Sequence, residues 1–193
     1  MASREQQLYR ACEAGDAATV SGYLHRPSLQ VNETNLLGWS PLHVAARWGH
    51  TQAVRTLAQD PRVEVNLQDS RGYTPLMVAC LNGKVEIVEE LLRCGAVDLT
   101  LRNSTGLTST NIAVTGSGKI GIVKWMLACR RIGERDVEDT LQVALAKGET
   151  SQVVVLLRKY LADPENVTYA LRKELGSLGE LISGEIEPAG AHF

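Results

Sequence analysis

Large aromatic side chains are scarce in this sequence, and their scarcity limits how a core can be built. Aromatic residues make up 5% of the 193 residues, and the single phenylalanine is Phe193 at the C-terminus. The core must therefore come from Ala, Leu, Val and Ile, since hydrophobic residues still reach 44%. These fractions exclude a disordered tail or a fibre, and they favour a thin, repetitive core.

An excess of one charge is also lacking. The chain has 20 Lys and Arg against 22 Asp and Glu, a formal net charge of −2, which is too balanced for the basic patch that binds a nucleic acid backbone. The N-terminus MASREQQLYRACEAGD is charged throughout, and no 18 apolar residues run together. We therefore expect no nucleic acid partner, no membrane insertion, and an intracellular location in the cytoplasm or nucleus.

The four cysteines form no C-x-x-C pair. They are Cys12, Cys80, Cys94 and Cys129. This spacing argues against a zinc site and against the disulfide framework of a secreted protein. We expect them to be reduced.

An internal repeat is the strongest signal in the chain. The segments that begin at Gly38, Gly72 and Gly106 match one another at an offset of 34 residues. A second set of glycines, each followed five residues later by valine, extends the frame to five units: Gly15, Gly49, Gly83, Gly118 and Gly148. A period of this length predicts a stack of small structural units.

Each unit has the pattern of a helical hairpin. Ser40-Pro41 and Thr74-Pro75 place a hydroxyl N-cap before a proline at the first helical position. Gly49 ends the first helix, because glycine adopts the left-handed conformation most easily. A second amphipathic helix follows, such as the one predicted for residues 84–94.

These residues closely resemble the ankyrin repeat family. The match is carried by G-W-S-P-L-H-V-A-A-R-W-G-H from Gly38 and G-Y-T-P-L-M-V-A-C-L-N-G-K from Gly72. The resemblance implies an all-α solenoid of helix-turn-helix units, with β-hairpin-like finger loops and a concave face lined by the fingers and first helices. We predict an ankyrin-repeat domain over residues 1–160.

The predicted domain has five units and is followed by a terminal segment. The fourth unit lacks the Ser/Thr-Pro cap and should be the weakest. A helical cap should cover the exposed apolar side of the fifth unit, and a mobile tail should follow. The predicted ranges are 4–34 (an N-terminal capping unit), 35–68, 69–102, 103–131 (degenerate), 136–160 (the C-terminal unit), 161–183 (the helical cap) and 184–193 (the tail).

Candidate binding residues follow from the repeat geometry that the resemblance implies, in which residues beside the finger glycine and before the inter-helix glycine point into the groove. Trp, Tyr and Arg among them are typical of interface hot spots. We predict that the following residues bind a protein: Leu37, Trp39, Arg47, Trp48, Arg71, Tyr73, Leu81, Asn82 and Leu107.

Catalytic patterns are weak. Thr115-Gly-Ser-Gly-Lys119 looks like a phosphate loop, but Ala113 and Ile120 occupy positions where that loop needs glycine and Ser or Thr. The resemblance gives His43 a structural hydrogen-bonding role. We therefore predict no catalytic site, cofactor or metal.

The predicted function is a non-catalytic scaffold, monomeric on its own, that binds a protein partner in its concave groove. Fold analogy supports this prediction and names no partner. An alternative is a regulatory or substrate-targeting segment of a larger signalling or ubiquitin-ligase adaptor assembly.

Overall fold

A computed structural model describes residues 3–115, 119–148 and 152–176. Eleven helices lie within these ranges and no strand does. They are α1 (Arg4–Ala14), α2 (Ala17–Leu24), α3 (Pro41–Trp48), α4 (Thr51–Ala58), α5 (Pro75–Leu81), α6 (Val85–Arg93), α7 (Ser109–Thr115), α8 (Lys119–Ala128), α9 (Glu134–Ala146), α10 (Gln152–Ala162) and α11 (Pro164–Leu175).

The helices form two layers. The odd-numbered helices α1 to α9 stack on one another as an inner layer, and α2, α4, α6, α8 and α10 form the outer layer, each beside its inner partner. The last pair spans residues 134–162, somewhat wider than the predicted range 136–160. The division of the chain into units otherwise remains a prediction, and residues 184–193 lie outside the described residues.

Local capping explains where the inner helices begin. The Ser40 hydroxyl accepts a bond from the backbone N–H of His43 at 3.4 Å, and the Thr74 hydroxyl accepts one from Met77 N–H at 3.2 Å. Thr108 accepts the same bond from Asn111 N–H at 3.3 Å. The fourth unit therefore begins its inner helix at Thr108 without a proline, and its weakness relative to the other units stays a prediction.

The core follows the repeat period. The valine five residues after each inter-helix glycine is buried in every helix pair: Val20, Val54, Val88, Val123 and Val153. Leu8, Leu42 and Leu76 form a second buried row on the inner helices. Burial at a fixed position of each unit makes one continuous core, as a solenoid requires.

The loops between pairs are joined by periodic asparagines. The Asn32 side chain accepts a bond from Glu64 N–H at 2.9 Å and donates to Arg62 O at 2.7 Å. Asn66 repeats this with Asp98 N–H and Ala96 O, both at 2.8 Å. Both ends of each amide are used, so each loop is held to the next.

The terminal helix α11 packs against α8 and α10. Arg172 Nε donates to Ala128 O at 2.9 Å, which satisfies a carbonyl at the end of α8. The helix thus lies on the outer layer of the last two pairs, and Leu145 and Val155 of the last pair stay exposed. The helix contacts the fifth unit through α10, and a cap over the whole predicted range 161–183 stays a prediction, since residues 177–183 lie outside the described residues. No helix of the described residues is long and apolar enough to span a membrane.

Candidate protein-binding groove

Three finger loops form one wall of the concave face, and each is organised by an Asn or Asp side chain. Asn35 Oδ1 accepts bonds from the backbone N–H groups of Leu37 and Trp39. Asp69 does the same for Arg71 and Tyr73, both at 2.8 Å. Such side-chain-to-backbone bonds close a tight turn without a strand ladder, so the predicted hairpin-like fingers are turns.

Asn103 organises the third finger in the same way, accepting from Thr105 N–H at 3.0 Å and Leu107 N–H at 2.9 Å. Asn35, Asp69 and Asn103 were not among the predicted site residues. Their signal was an Asn or Asp three residues before each finger glycine, at the repeat offset of 34.

Neighbouring fingers are bonded to one another through the backbone. Ser70 N–H donates to Leu37 O at 3.1 Å, and Ser104 N–H donates to Arg71 O at 2.9 Å. At Gly38, where φ is +76°, an added Cβ would lie 2.6 Å from the Ser70 nitrogen. Glycine is therefore required here both by the backbone angle and by the approach of the next finger.

A cavity of about 300 Å³ lies between the first two of these fingers and the inner helices α3 and α5. Seven of the nine predicted binding residues line it, the exceptions being Trp48 and Leu107. The full set of lining residues is Leu37, Trp39, Arg47, Asp69, Ser70, Arg71, Tyr73, Val78, Leu81 and Asn82.

Trp39 and Tyr73 form the cavity wall and also pack against the core, each half-buried. The Trp39 indole donates from Nε1 to Asp69 Oδ2 at 3.0 Å, so this side chain also joins two fingers. Neither aromatic side chain therefore projects freely from its finger.

Arg47 lies against two tryptophan rings on the same face. Its guanidinium carbon is 5.0 Å from the centre of the Trp39 ring and 5.9 Å from that of Trp48. These distances are within the range of cation–π attraction. The stacking fixes a long, flexible side chain, and the charge remains exposed to solvent.

Exposed apolar side chains line the cavity or come directly beside its lining residues in the chain. Leu36 is fully exposed, and Leu37, Trp48 and Leu81 are 58%, 51% and 48% exposed. Large apolar side chains placed together at a solvent-exposed surface mark an interaction site. Leu107, on the third finger, is half-buried against the core, so it offers less surface to a partner.

A second cavity, of about 540 Å³, lies toward the N-terminus between α1 and the first finger. It is lined by Glu5, Gln6, Tyr9, Arg10, Glu13, Glu33, Thr34, Asn35 and Leu36. Burial and the charge of Glu13 raise the pKa of Tyr9, whereas the bond to Asn35 and the charge of Arg47 oppose the rise.

His43 has a structural position beneath the fingers. It is fully buried, Nδ1 accepts from Ser40 N–H at 3.2 Å, and Nε2 donates to Tyr73 O at 2.9 Å. Burial lowers the pKa of His43, against the opposing effects of the Tyr73 bond and the Asp69 charge. The side chain is therefore neutral at pH 7 and connects two repeats, as the family resemblance implied.

The cysteines have the surroundings of core residues. Cys12, Cys80 and Cys129 are buried, and Cys94 is partly buried. Burial raises the pKa of Cys12 to about 12 and also raises the pKa of Cys80. Both thiols are protonated at neutral pH and are poor nucleophiles. Residues 116–118 of the phosphate-loop-like segment lie outside the described residues, and the described part of the chain contains no cluster suited to a metal ion.

A protein-family model agrees with the repeat and the stacked helix pairs. No curated protein matches this sequence. The family model for ankyrin repeats (3 copies) matches residues 8–103 and, in a second alignment, residues 61–139. Together these alignments cover more than half of the chain and include both walls of the cavity, so the protein belongs to the ankyrin repeat family.

Proposed function

We propose that this protein is a non-catalytic scaffold that binds a protein partner in the groove between its fingers and inner helices. Ankyrin repeats are generally protein–protein interaction modules. The observation that carries the proposal is that exposed Leu37 and Leu81 line one cavity, and that exposed Trp48 lies against Arg47 of the same lining. Most other apolar side chains of these helices are buried in the core.

The groove suits a protein segment because it combines apolar area with fixed polar groups. Trp48 and Leu81 offer apolar surface, and Arg47 is held in place by stacking. Because the fingers are bonded to one another, the groove is preorganised and little ordering entropy is lost on binding.

Trp48→Ser combined with Leu81→Ser tests the proposal, because both side chains are about half exposed and their loss spares the core. Val155→Ser is the matched control: Val155 is 51% exposed, as Trp48 is, and it lies on the outer helix α10. Partners are captured with the wild-type protein, identified, and titrated against all three forms by calorimetry.

We expect the double variant to lose about 2 kcal/mol or more of binding free energy and the control to bind as the wild type does. If the double variant bound the partner as tightly as the wild type does and Val155→Ser lost affinity, the interaction surface would lie outside the groove.

A further inference from the structure

Two arginines in the groove form no ion pair within the described part of the chain. Arg47 and Arg71 both line the cavity and both are exposed. Within the described part of the chain neither guanidinium has a carboxylate partner, although other arginines do: Arg55 with Glu90, Arg62 with Asp60, Arg93 with Glu89, and Arg102 with Asp136.

The acidic residue of the same wall is already engaged. Asp69 Oδ1 accepts from the backbone N–H groups of Arg71 and Tyr73, and Oδ2 accepts from the Trp39 indole. Because these donors hold both carboxylate oxygens inside the finger wall, Asp69 forms no ion pair with Arg47 or Arg71. The cavity thus presents two guanidinium groups and one internally bonded carboxylate.

Apolar surface lies beside both arginines. Leu37 and Leu81 line the same cavity, at 58% and 48% exposure, and the Arg47 guanidinium stacks on Trp39 and Trp48. An exposed guanidinium next to apolar surface offers paired N–H donors in a fixed plane beside an apolar contact area. Both features favour a carboxylate that brings an apolar neighbour with it.

The basic character is local to this part of the face. The neighbouring cavity toward the N-terminus is lined by Glu5, Glu13 and Glu33 against the single cation Arg10. A uniformly acidic ligand would be repelled there. Complementarity along the whole face therefore requires a segment whose acidic residues lie at the Arg47 and Arg71 end.

We infer that the partner supplies an acidic, apolar peptide segment, with Asp or Glu side chains paired to Arg47 and Arg71 and an apolar side chain between Leu37 and Leu81. This inference rests on the proposed function, because it names the class of partner for the same groove. Carboxylate–guanidinium pairs would set which segment is accepted, and the apolar contacts would supply most of the buried area.

A displayed library of random short peptides, selected against the full chain, is the probe. The selected peptides are then synthesised and titrated against wild type, Arg71→Glu and the combined variant Arg47→Glu with Arg71→Glu. Arg158→Glu is the control, since Arg158 is an exposed arginine on α10. Melting temperatures of all forms establish that each variant is folded.

We expect selected peptides in which Asp or Glu lies next to Leu, Ile, Val or an aromatic residue. Arg71→Glu should weaken their binding about tenfold, Arg158→Glu should leave it unchanged, and raised salt should weaken it because exposed charge pairs are screened. Selection against the combined variant should enrich Lys or Arg in place of the acidic residues.

Failure of this inference can be separated from failure of the proposed function. The selected peptides could be apolar without an acidic bias, and their binding could be lost in the Trp48→Ser, Leu81→Ser variant but kept in Arg71→Glu. This result would overturn the inference of an acidic segment and would still support binding in the groove. Peptides that bind only when phosphorylated would overturn the carboxylate assignment. Peptides that bind every groove variant with the same affinity as the wild type would overturn both proposals.

Discussion

Asn111 makes the same two connections in the fourth helix pair that His43 makes in the second. His43 Nδ1 accepts from Ser40 N–H and Nε2 donates to Tyr73 O. Asn111 Oδ1 accepts from Thr108 N–H at 3.0 Å, and Nδ2 donates to the Thr140 hydroxyl at 2.9 Å. A shorter side chain therefore reproduces both the helix cap and the bond to the next repeat.

Asn111→Ala should lower the free energy of unfolding by about 2–3 kcal/mol, because it leaves the buried Thr108 N–H without its acceptor and removes the bond to Thr140. Urea denaturation measures the change. Ser104→Ala is the control, since Ser104 is exposed and bonds through its backbone. A loss no greater than that of the control would show that the Asn111 amide contributes nothing to stability.

The stability of the protein should fall below about pH 6.5 in part because of His43. Burial lowers the pKa of His43 in the folded state, whereas an unfolded histidine titrates near pH 6.5. Between the two pKa values the unfolded chain binds more protons, so folding is weakened as the pH falls, by at most about 1.4 kcal/mol per pH unit.

Denaturation of wild type and His43→Asn across pH 5 to 8 isolates this contribution. The difference between the two unfolding free energies should be constant above about pH 6.5 and should shrink below it. A difference that stays constant over the whole range would mean that His43 titrates alike in the folded and unfolded states.

Ser109→Pro should stabilise the protein by about 0.4–1 kcal/mol. Ser109 begins α7 at the position that Pro41 and Pro75 occupy in α3 and α5, and its buried hydroxyl has no hydrogen-bond partner among the described residues. Proline fits the first helical position and restricts the unfolded chain. Ser109→Ala removes only the hydroxyl, so thermal melts of the two variants separate the contributions. A destabilising proline would show that α7 begins elsewhere.

Gly121→Ala should stabilise the protein by about 1 kcal/mol, the cost of glycine in a helix interior. An added Cβ would lie 3.6 Å from a Val85 methyl group, an ordinary contact. Gly38→Ala is the opposite case, because its Cβ would collide with the next finger at a positive φ, and it should cost more than about 1 kcal/mol. Chemical denaturation of both variants checks the prediction, which the reverse order would contradict.

Trp39→Ala should lower the free energy of unfolding by about 2 kcal/mol, because the side chain packs against the core and its indole bonds to Asp69. Trp48→Ala should cost less than about 1 kcal/mol, since Trp48 is 51% exposed. Thermal and urea unfolding compare the two. Equal losses would show that Trp39 does not connect the fingers.

The beginnings and ends of the helices in the central repeats follow from residues close together in the chain. Ser40 and Thr74 cap the helices that follow them, and Gly49 ends α3 with φ of +83°. A residue type and its neighbours within about four positions determine each of these features. Sequence patterns were therefore sufficient to predict them.

The helix cap of the fourth repeat was harder to predict, because this repeat lacks the Ser/Thr-Pro pattern that marks the cap in the second and third repeats. Thr108 and Asn111 form the cap without proline or histidine, since the cap requires an acceptor at the right distance and not a particular side chain. The contact of α11 with α8 was not predicted, because the Arg172 bond joins residues 44 apart in the chain.

The sequence by itself determined the repeat period, the helix pairs and the set of residues near the finger and inter-helix glycines. Only the tertiary structure decided which of those residues share a cavity, that Trp39 is committed to Asp69, and that Arg47 and Arg71 are left without carboxylate partners within the described chain. The physical reason is that hydrogen bonds, burial and ion pairing across the groove depend on how successive repeats stack, which brings together side chains about 30 residues apart in the chain.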